Sequence, residues 1–317
     1  METPERTVAE LGEFGVIARI TAARTPSSVE LIGPGDDAAV LRAPDGRFVV
    51  TTDMLVQDRH FRLDWATGTE IGRKAIAQNA ADVAAMGAQP SAFVVALGCP
   101  AQLPLSFVDD LGAGMSAEAA RAGAAIVGGD LVSSDSIVIS VTAHGDLQGR
   151  APVLRSGAEP DQVVAVSGRL GWAAAGYALL SAGVADVDNY EALRSAHVSP
   201  QPPYTAGIAA AIGGATAMID TSDGLLSDLG HVADASGVAI DIRIEQIDPV
   251  LAGAADRLGV DPLAWVLTGG EDHALAAVFP SPDAVPPGWQ RIGTTAAGRG
   301  VTVDGQPWTG PTGWRSF

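Results

Sequence analysis

The sequence predicts a mixed α/β (α+β) fold in two domains. Apolar runs of strand length alternate along the 317 residues with alanine-rich stretches of helical length, a pattern typical of α/β and α+β proteins. Hydrophobic residues make up 47% of the chain, enough to bury a full core. Proline and glycine cluster between residues 149 and 159, just before a new apolar run. We therefore expect one domain at 1–149 and a second at 150–317.

Eight apolar runs are interpreted as strands: 48–52, 92–97, 124–127, 137–143, 162–167, 216–219, 238–244 and 274–279. Four helices are expected, at 70–86, at 107–122, after Gly171 and from Asp223 to about Gly237. The first has a capping box at Thr67 and Glu70, and Ser106 with Asp109 suggests another for the second helix. The tail from Pro280 is rich in proline, glycine and tryptophan, so we interpret it as irregular.

Composition excludes several classes of function. The net charge of −18 argues against nucleic acid as a partner, because a phosphate backbone needs a basic face. It leaves nucleotides possible, since bound Mg²⁺ offsets local carboxylate charge. A single cysteine, Cys99, excludes an internal disulfide or a cysteine-based metal site. The N-terminus lacks an apolar signal core, and no uncharged apolar stretch approaches the roughly 18 residues of a membrane span. We expect a cytoplasmic protein with no membrane partner.

Short Asp-rich turns recur over most of the chain. They read GPGDD at 33–37, TTD at 51–53, NAAD at 79–82, GGD at 128–130, IDTSDG at 219–224 and GGED at 269–272. Each lies near a glycine, beside an apolar run or inside an alanine-rich helix. Six such turns suggest carboxylates gathered around divalent cations, and hard oxygen ligands favour Mg²⁺ over zinc. Magnesium held by carboxylates usually has a phosphate-bearing substrate as its other ligand.

Taken singly, each turn also has a plain structural interpretation. GPGDD could be a surface turn, and Ser222 or Asp223 could simply be a helix N-cap. Asn79 and Asp82 share one face of the first helix, and its length and periodicity favour the solvated face over a face that lines a site. The glycines of GGD would let backbone N–H groups approach a phosphate.

The ordered set of motifs resembles the thiamine-monophosphate kinase family. The matching segments, from about Gly12 to Phe317, are GPGDDAAV, TTDMLVQDRHF, NAADVAAMGAQP, GGDLVSS, RSGAEP, IDTSDGLLSDLGH, LTGGEDHAL and the terminal GWRSF. The family belongs to a wider group with aminoimidazole ribonucleotide synthetase, selenophosphate synthetase and a hydrogenase maturation factor. The resemblance implies two α/β domains, an N-terminal sheet that pairs across a homodimer, and direct in-line phosphoryl transfer from ATP to thiamine monophosphate with several Mg²⁺ ions.

The resemblance also implies roles for individual residues. The magnesium ligands would be Asp37, Thr51, Thr52, Asp53, Asp82, Asp130, Asp220 and Asp223. The ATP contacts would be Gly129, Asp130, Arg155 and Ser222. The substrate contacts would be His60, Glu271 and a C-terminal aromatic residue, for which Trp314 is the first choice and Trp308 the second.

The chain departs from the family pattern at three places. It reads NAAD where members often read NLSD, GGDL for GGDT, and GGEDHAL for GGEDYEL, which places His273 where a tyrosine is usual. Two alternatives remain: a sister ATP-using enzyme, or a non-catalytic regulator that binds magnesium and nucleotide. Selenophosphate synthetase would need a reactive cysteine near the first glycine turn, and this sequence has none there. The hydrogenase maturation factor would end in a reactive cysteine, whereas this sequence ends with Trp314 to Phe317.

Overall fold

The computed structural model describes residues 6–22, 24–33, 39–184 and 190–310, without the side chains of residues 13, 14 and 22. The chain forms two compact units. The first comprises residues 1–83 and 89–149, and the second comprises residues 84–88 and 150–317.

The first unit is built around a four-stranded sheet. Its elements are α1 (Val8–Leu11), α2 (Glu13–Ala22), β1 (Glu30–Ile32), β2 (Val40–Leu41), β3 (Val49–Val56), α3 (Gly68–Ala85), β4 (Gln89–Cys99), α4 (Leu105–Arg121), β5 (Ala125–Ser133) and β6 (Val138–Asp146). The sheet has the order β3-β6-β4-β5. Only the β4–β5 pair is parallel among these neighbours, and β1 with β2 forms a separate antiparallel pair.

The two faces of this sheet differ. Along β6 the buried residues Ile139, Val141 and Ala143 alternate with partly exposed ones, as expected when one face of a strand is covered. On the opposite face Val50, Met54 and Val132 are exposed by 56%, 52% and 53%. Within the described ranges, then, this second face carries large apolar side chains without a covering layer.

The second unit contains a six-stranded sheet. Its elements are β7 (Val163–Ser167), α5 (Trp172–Ser181), α6 (Glu191–Val198), α7 (Tyr204–Ile212), β8 (Ala217–Asp220), α8 (Leu225–Ser236), β9 (Val238–Ile242), α9 (Pro249–Leu258), α10 (Pro262–Thr268), β10 (Leu275–Phe279), a short 3₁₀ helix (Pro282–Ala284), β11 (Gln290–Ala297) and β12 (Gly300–Val303). The order is β12-β9-β11-β7-β10-β8. Its one parallel pair among the described strands is β12 with β9.

The centre of this sheet is fully buried. Every residue of β7 and of β10 is buried, which explains why both read as continuous apolar runs rather than as alternating ones. Leu225, Leu229 and Val232 of α8 pack with the strand residues into one core cluster. A second cluster gathers Trp172 and Leu179 of α5 with residues of α6 and α9.

The eight expected strands and four expected helices are present, with changed bounds. Helix α4, expected from about residue 107, begins at Leu105 after Pro104 and lacks the expected Ser106 cap. Helix α8 begins at Leu225 rather than at Asp223. TTD and GGD lie inside β3 and β5 instead of at their ends. The expectation of an irregular tail was wrong, because β11 and β12 form there, paired with β7 and β9.

Two adjacent glycines in β5 permit a matched test of this packing. A Cβ at Gly129 would lie 2.1 Å from the carbonyl oxygen of Val95, whereas nothing lies within 4 Å of a Cβ at Gly128. We expect Gly129→Ala to lower the free energy of unfolding by about 1–3 kcal/mol, because the neighbouring backbone cannot yield. Gly128→Ala serves as the control and should leave it nearly unchanged. Urea unfolding of both variants measures the difference, and equal values would contradict the packing argument.

Candidate active site

Polar side chains in the middle of α3 are buried rather than exposed to solvent. Lys74 and Asn79 are buried, with 1% and 0% of their surface exposed. Asn79 accepts a hydrogen bond from the backbone N–H of Asp53 at 2.9 Å and donates one to the carbonyl of Ala75 at 2.9 Å. The hydroxyl of Thr51 donates to Asp82 at 2.8 Å. The solvated-face interpretation was therefore wrong: these groups satisfy polar atoms of the edge strand β3.

His60 is held in one orientation after β3. Its carbonyl accepts a hydrogen bond from the Lys74 ammonium at 3.0 Å, and its Nδ1 accepts one from the backbone N–H of Val56 at 2.9 Å. Because Nδ1 is the acceptor, the neutral ring carries its proton on Nε2. In this tautomer the hydrogen-bond donor of the His60 ring is Nε2.

The sheet register separates the candidate ligands of the first unit. Asp53 on β3 lies in one row of the sheet with Val141 on β6. Asp130 on β5 lies in the next row, which continues through Ala96 and Ser140 to Met54 on β3. Because neighbouring rows point to opposite faces, the side chain of Asp130 leaves the sheet on the face opposite to that of Asp53. Thr52 lies on the Asp130 face, and its hydroxyl donates to the carbonyl of Val141 at 3.0 Å. Thr51 and Asp82 lie with Asp53 on the helix-covered face.

In the second unit, the IDTSDG and GGED turns lie side by side. Strands β8 and β10 pair as far as Asp220 with Leu275. The pairing then continues irregularly, because Thr221 and Ala274 share a hydrogen bond of 2.8 Å and the N–H of His273 donates to Thr221 at 3.0 Å. The N–H of Glu271 donates to the Ser222 carbonyl at 2.8 Å. The antiparallel pair thus brings two acidic turns, about fifty residues apart in sequence, into contact.

Three carboxylates cluster at the start of α8. Asp220 is 4% exposed and its Oδ2 lies 3.1 Å from Nδ1 of His273. Asp228 is 2% exposed and accepts hydrogen bonds of 3.1 Å from the N–H groups of Asp223 and Gly224. Burial, reinforced by the Asp220 carboxylate, raises the pKa of Asp228 to about 7 and also raises the pKa of Asp223. The interpretation of Ser222 or Asp223 as the N-cap was wrong; Gly224 occupies that position and Asp228 reaches back to it.

The GGED turn directs three side chains to three different partners. Glu271 lies 3.2 Å from Nδ1 of His197, and His273 contacts Asp220. Between them, the carboxylate of Asp272 accepts hydrogen bonds from the N–H groups of Gly171 at 2.5 Å and Ala173 at 2.8 Å. Glu271 and His273 both have left-handed backbones, with φ of 65° and 49°. Such a conformation costs a side-chain-bearing residue about 1–2 kcal/mol.

The other expected site residues are distributed as follows. Arg155 is exposed. Burial and the Asp220 charge raise the pKa of Asp223, and the positive charge of Arg155 offsets a smaller part of that rise. Trp308 is partly buried against the core of the second unit. Asp37 and Trp314 lie outside the described residues. No group of three or more His, Cys, Asp or Glu side chains within the described ranges is already arranged to hold a metal ion.

Three residues of this region were missed at the level of sequence. Asp228 could have been found from its position four residues after the glycine that starts α8. Asp272 stands inside the GGED motif, but its hydrogen-bond partner lies 101 residues away. His197 is an isolated histidine on α6, and no local pattern links it to Glu271.

Comparison with known proteins identifies the family. Residues 35–147 match the model for AIR synthase related protein, N-terminal domain. Thiamine-monophosphate kinase of Mycobacterium tuberculosis is 56% identical over 321 residues, covering 100% of this chain and 95% of that protein. The chain belongs to the thiamine-monophosphate kinase family.

Two solved structures of this family share the fold. Thiamine-monophosphate kinase from Stenotrophomonas maltophilia is 34% identical with a TM-score of 0.81, covering 92% of this chain and 95% of that one. AaThiL complexed with AMPPCP and TMP is 32% identical with a TM-score of 0.81, covering 99% and 100%. The second of these structures holds AMPPCP together with TMP.

The donor set of the kinase-family motifs fits magnesium chemically. The candidate ligands offer only carboxylate and hydroxyl oxygen, the hard donors that Mg²⁺ prefers. Burial, together with the nearby Asp220 carboxylate, raises the pKa of Asp223 and of Asp228, and a nearby cation would lower both pKa values. None of the described helices has the length and apolar character of a membrane span.

Asp272 provides a pH test of the site. Burial raises its pKa to about 7, despite the N–H groups that favour its charged form. The folded protein then binds this proton more tightly than the unfolded chain, whose aspartate has a pKa near 4. Its contribution to stability is therefore full below about pH 4 and is lost as pH rises through about 7.

We expect the free energy of unfolding to fall less steeply between pH 5 and 8 in Asp272→Asn than in the unaltered protein. One pKa unit corresponds to about 1.4 kcal/mol, so a difference of at least that size is expected. Urea unfolding at the two pH values measures it. Parallel pH dependence in both proteins would show that Asp272 titrates normally.

Proposed function

We propose that this chain transfers the γ-phosphoryl group of ATP to the phosphate of thiamine monophosphate, which yields ADP and thiamine diphosphate. The observation that carries the proposal is the 56% identity to thiamine-monophosphate kinase of Mycobacterium tuberculosis over the whole chain. The related AaThiL structure contains AMPPCP and TMP together, as expected for a donor analogue beside an acceptor.

The acceptor explains why no nucleophile-and-base set is needed. A phosphate monoester is mostly ionised at neutral pH, since its second pKa is about 6. The remaining obstacle is repulsion between two anionic phosphates, so catalysis rests on positioning and electrostatics. Bound Mg²⁺ would neutralise the charge of both phosphates and of the transferring group. We propose direct in-line transfer without a phosphorylated enzyme.

Residue roles follow the two units separately. In the first, Thr51, Asp53 and Asp82 would hold magnesium from the helix-covered face, and Thr52 and Asp130 would hold it from the opposite face. Gly129 and Asp130 would contact ATP. In the second, Asp220 and Asp223 would hold magnesium beside Ser222 and Arg155, which would contact ATP. Asp37 would complete the magnesium ligands.

The substrate contacts complement the two charges of thiamine monophosphate. His60 would donate its Nε2–H to the phosphate, because Val56 already occupies Nδ1. Glu271 would face the cationic thiazolium, with its carboxylate oriented by His197. Trp314 would stack on the aromatic rings.

We further propose that the first unit forms a homodimer through the uncovered face of its sheet. Val50, Met54 and Val132 are each more than half exposed there, and an uncovered sheet face with large exposed apolar side chains favours an interaction surface. Light scattering measures the mass in solution, and we expect twice the chain mass of 32.1 kDa. Met54→Lys should shift the protein toward the monomer; a monomeric unaltered protein would contradict the proposal.

The decisive test of the reaction is ADP release by the purified protein with Mg-ATP, with and without thiamine monophosphate. ADP that forms only with thiamine monophosphate, in equal amount to thiamine diphosphate, supports the kinase. Binding of Mg-ATP without turnover would instead favour a sister enzyme with another acceptor, or a nucleotide-binding regulator. A phosphorylated enzyme on the pathway would exclude direct transfer.

Asp220→Asn tests the ligand assignment in the second unit. Loss of the negative charge at nearly constant volume should lower turnover at least about 100-fold, the scale of removing one electrostatic contributor. Asp304→Asn is the control, since Asp304 forms an exposed ion pair with Arg243 and should not affect turnover. Both variants are expected to stay folded by circular dichroism. Near-normal turnover of Asp220→Asn at saturating Mg²⁺ would remove Asp220 from the ligand set.

A further inference from the structure

The backbone of the GGED turn is conformationally unusual. Glu271 and His273 adopt left-handed φ values of 65° and 49°, although both carry large side chains. Left-handed residues persist only where the surroundings over-determine them. The structure must therefore contain contacts that hold this turn in place.

Asp272 supplies such a contact from inside the turn. Helix α5 starts at Trp172 after Gly171, whose φ is 80° and which has no side chain to cap the helix. The carboxylate of Asp272 takes that role across the sequence, with one oxygen on Gly171 and the other on Ala173. A carboxylate at a helix N-terminus satisfies orphan N–H groups and is favoured by the helix dipole.

The neighbouring backbones leave the turn little freedom. A Cβ at Gly270 would lie 2.6 Å from the Ser222 carbonyl oxygen, and one at Gly269 would lie 2.4 Å from the Trp265 carbonyl oxygen. A Cβ at Gly171 would lie 2.8 Å from the nitrogen of Val266. The turn is therefore packed on both sides, and Asp272 fixes its rotation relative to α5.

We propose that Asp272 is a positioning residue: its carboxylate, bonded to the start of α5, holds the turn so that Glu271 points to His197 and His273 points to Asp220. Asp272 thus positions two side chains with different proposed functions. Glu271 would contact thiamine monophosphate, and His273 is the partner of Asp220, a proposed magnesium ligand. This inference rests on the proposed function for the meaning of those two contacts. Both oxygens of Asp272 are engaged by the start of α5, so its proposed role is positional.

Single substitutions separate the effect of Asp272 on Glu271 from its effect on His273. Glu271→Gln should weaken binding of thiamine monophosphate and leave Mn²⁺ binding unchanged, because it does not alter His273. His273→Gln should weaken Mn²⁺ binding and leave thiamine monophosphate largely unaffected. Asp272→Asn should weaken both, because the amide has one acceptor oxygen and would place an NH₂ donor against one of the two backbone N–H groups.

The matched control is Asp261→Asn. Asp261 caps α10 in the same unit, with Oδ1 accepting from the N–H of Leu263 at 2.9 Å, but it is the cap of its own helix. This variant makes the same carboxylate-to-amide change at a helix cap without disturbing the GGED turn, since asparagine also caps helices. It should therefore leave both binding constants unchanged, even if it lowers the melting temperature.

The experiment measures binding in the full-length protein, by calorimetry for thiamine monophosphate and by electron paramagnetic resonance for Mn²⁺, together with kcat/KM. We expect Asp272→Asn to weaken both ligands by about 10- to 100-fold, the range expected when groups are misplaced by about 1 Å. If that variant does not fold, Asp272→Glu is measured in its place, since its longer side chain displaces the turn while retaining the charge.

Two results would overturn the proposal. One is unchanged binding of both ligands in the folded Asp272 variant, which would reduce Asp272 to a stabilising cap. The other is a change in one ligand only, which would show that the two side chains are set independently. Failure of the kinase proposal is distinguishable, because the unaltered protein would then release no ADP with thiamine monophosphate.

Discussion

The arrangement of the second unit depends on one constraint, which is that carboxylates must be held close together at the ends of buried strands. The Asp220 carboxylate repels those of Asp223 and Asp228, and burial makes the charged forms of Asp223 and Asp228 costly. The chain offsets that cost with hydrogen-bond donors. Asp228 receives two backbone N–H groups, and Asp220 has His273 beside it.

The same constraint explains why the acidic turns meet through β8 and β10. Antiparallel neighbours bring the end of one strand beside the start of the other, so a turn after β8 lies beside a turn before β10. Hydrogen bonds from Glu271 and His273 to residues 221–222 extend that pairing beyond the regular ladder. In the first unit the polar side chains are brought together differently. Asn79 and Asp82 come from helix α3 and form hydrogen bonds with the edge strand β3.

Local patterns predicted the elements that are decided locally. The continuous apolar runs of β7 and β10 are strands because both are buried on each face, and the Thr67–Glu70 capping box forms with both hydrogen bonds. Periodicity could not decide which face of α3 is buried, because its polar residues are matched by partners on β3. It also could not find the contact between Asp272 and Gly171, since a cap supplied from 101 residues away leaves no local trace.

The paired glycines show how packing and ligand approach can be separated. The GGD motif suggests that its glycines admit a phosphate, and GGED carries a similar glycine pair. Yet Gly129, Gly269 and Gly270 are each required by a backbone carbonyl 2.1 to 2.6 Å from where a Cβ would lie. Gly128 is different, because nothing lies within 4 Å of its Cβ position and its φ is not left-handed. Packing therefore accounts for three of these glycines, and at Gly128 alone the absence of a side chain leaves room for a ligand.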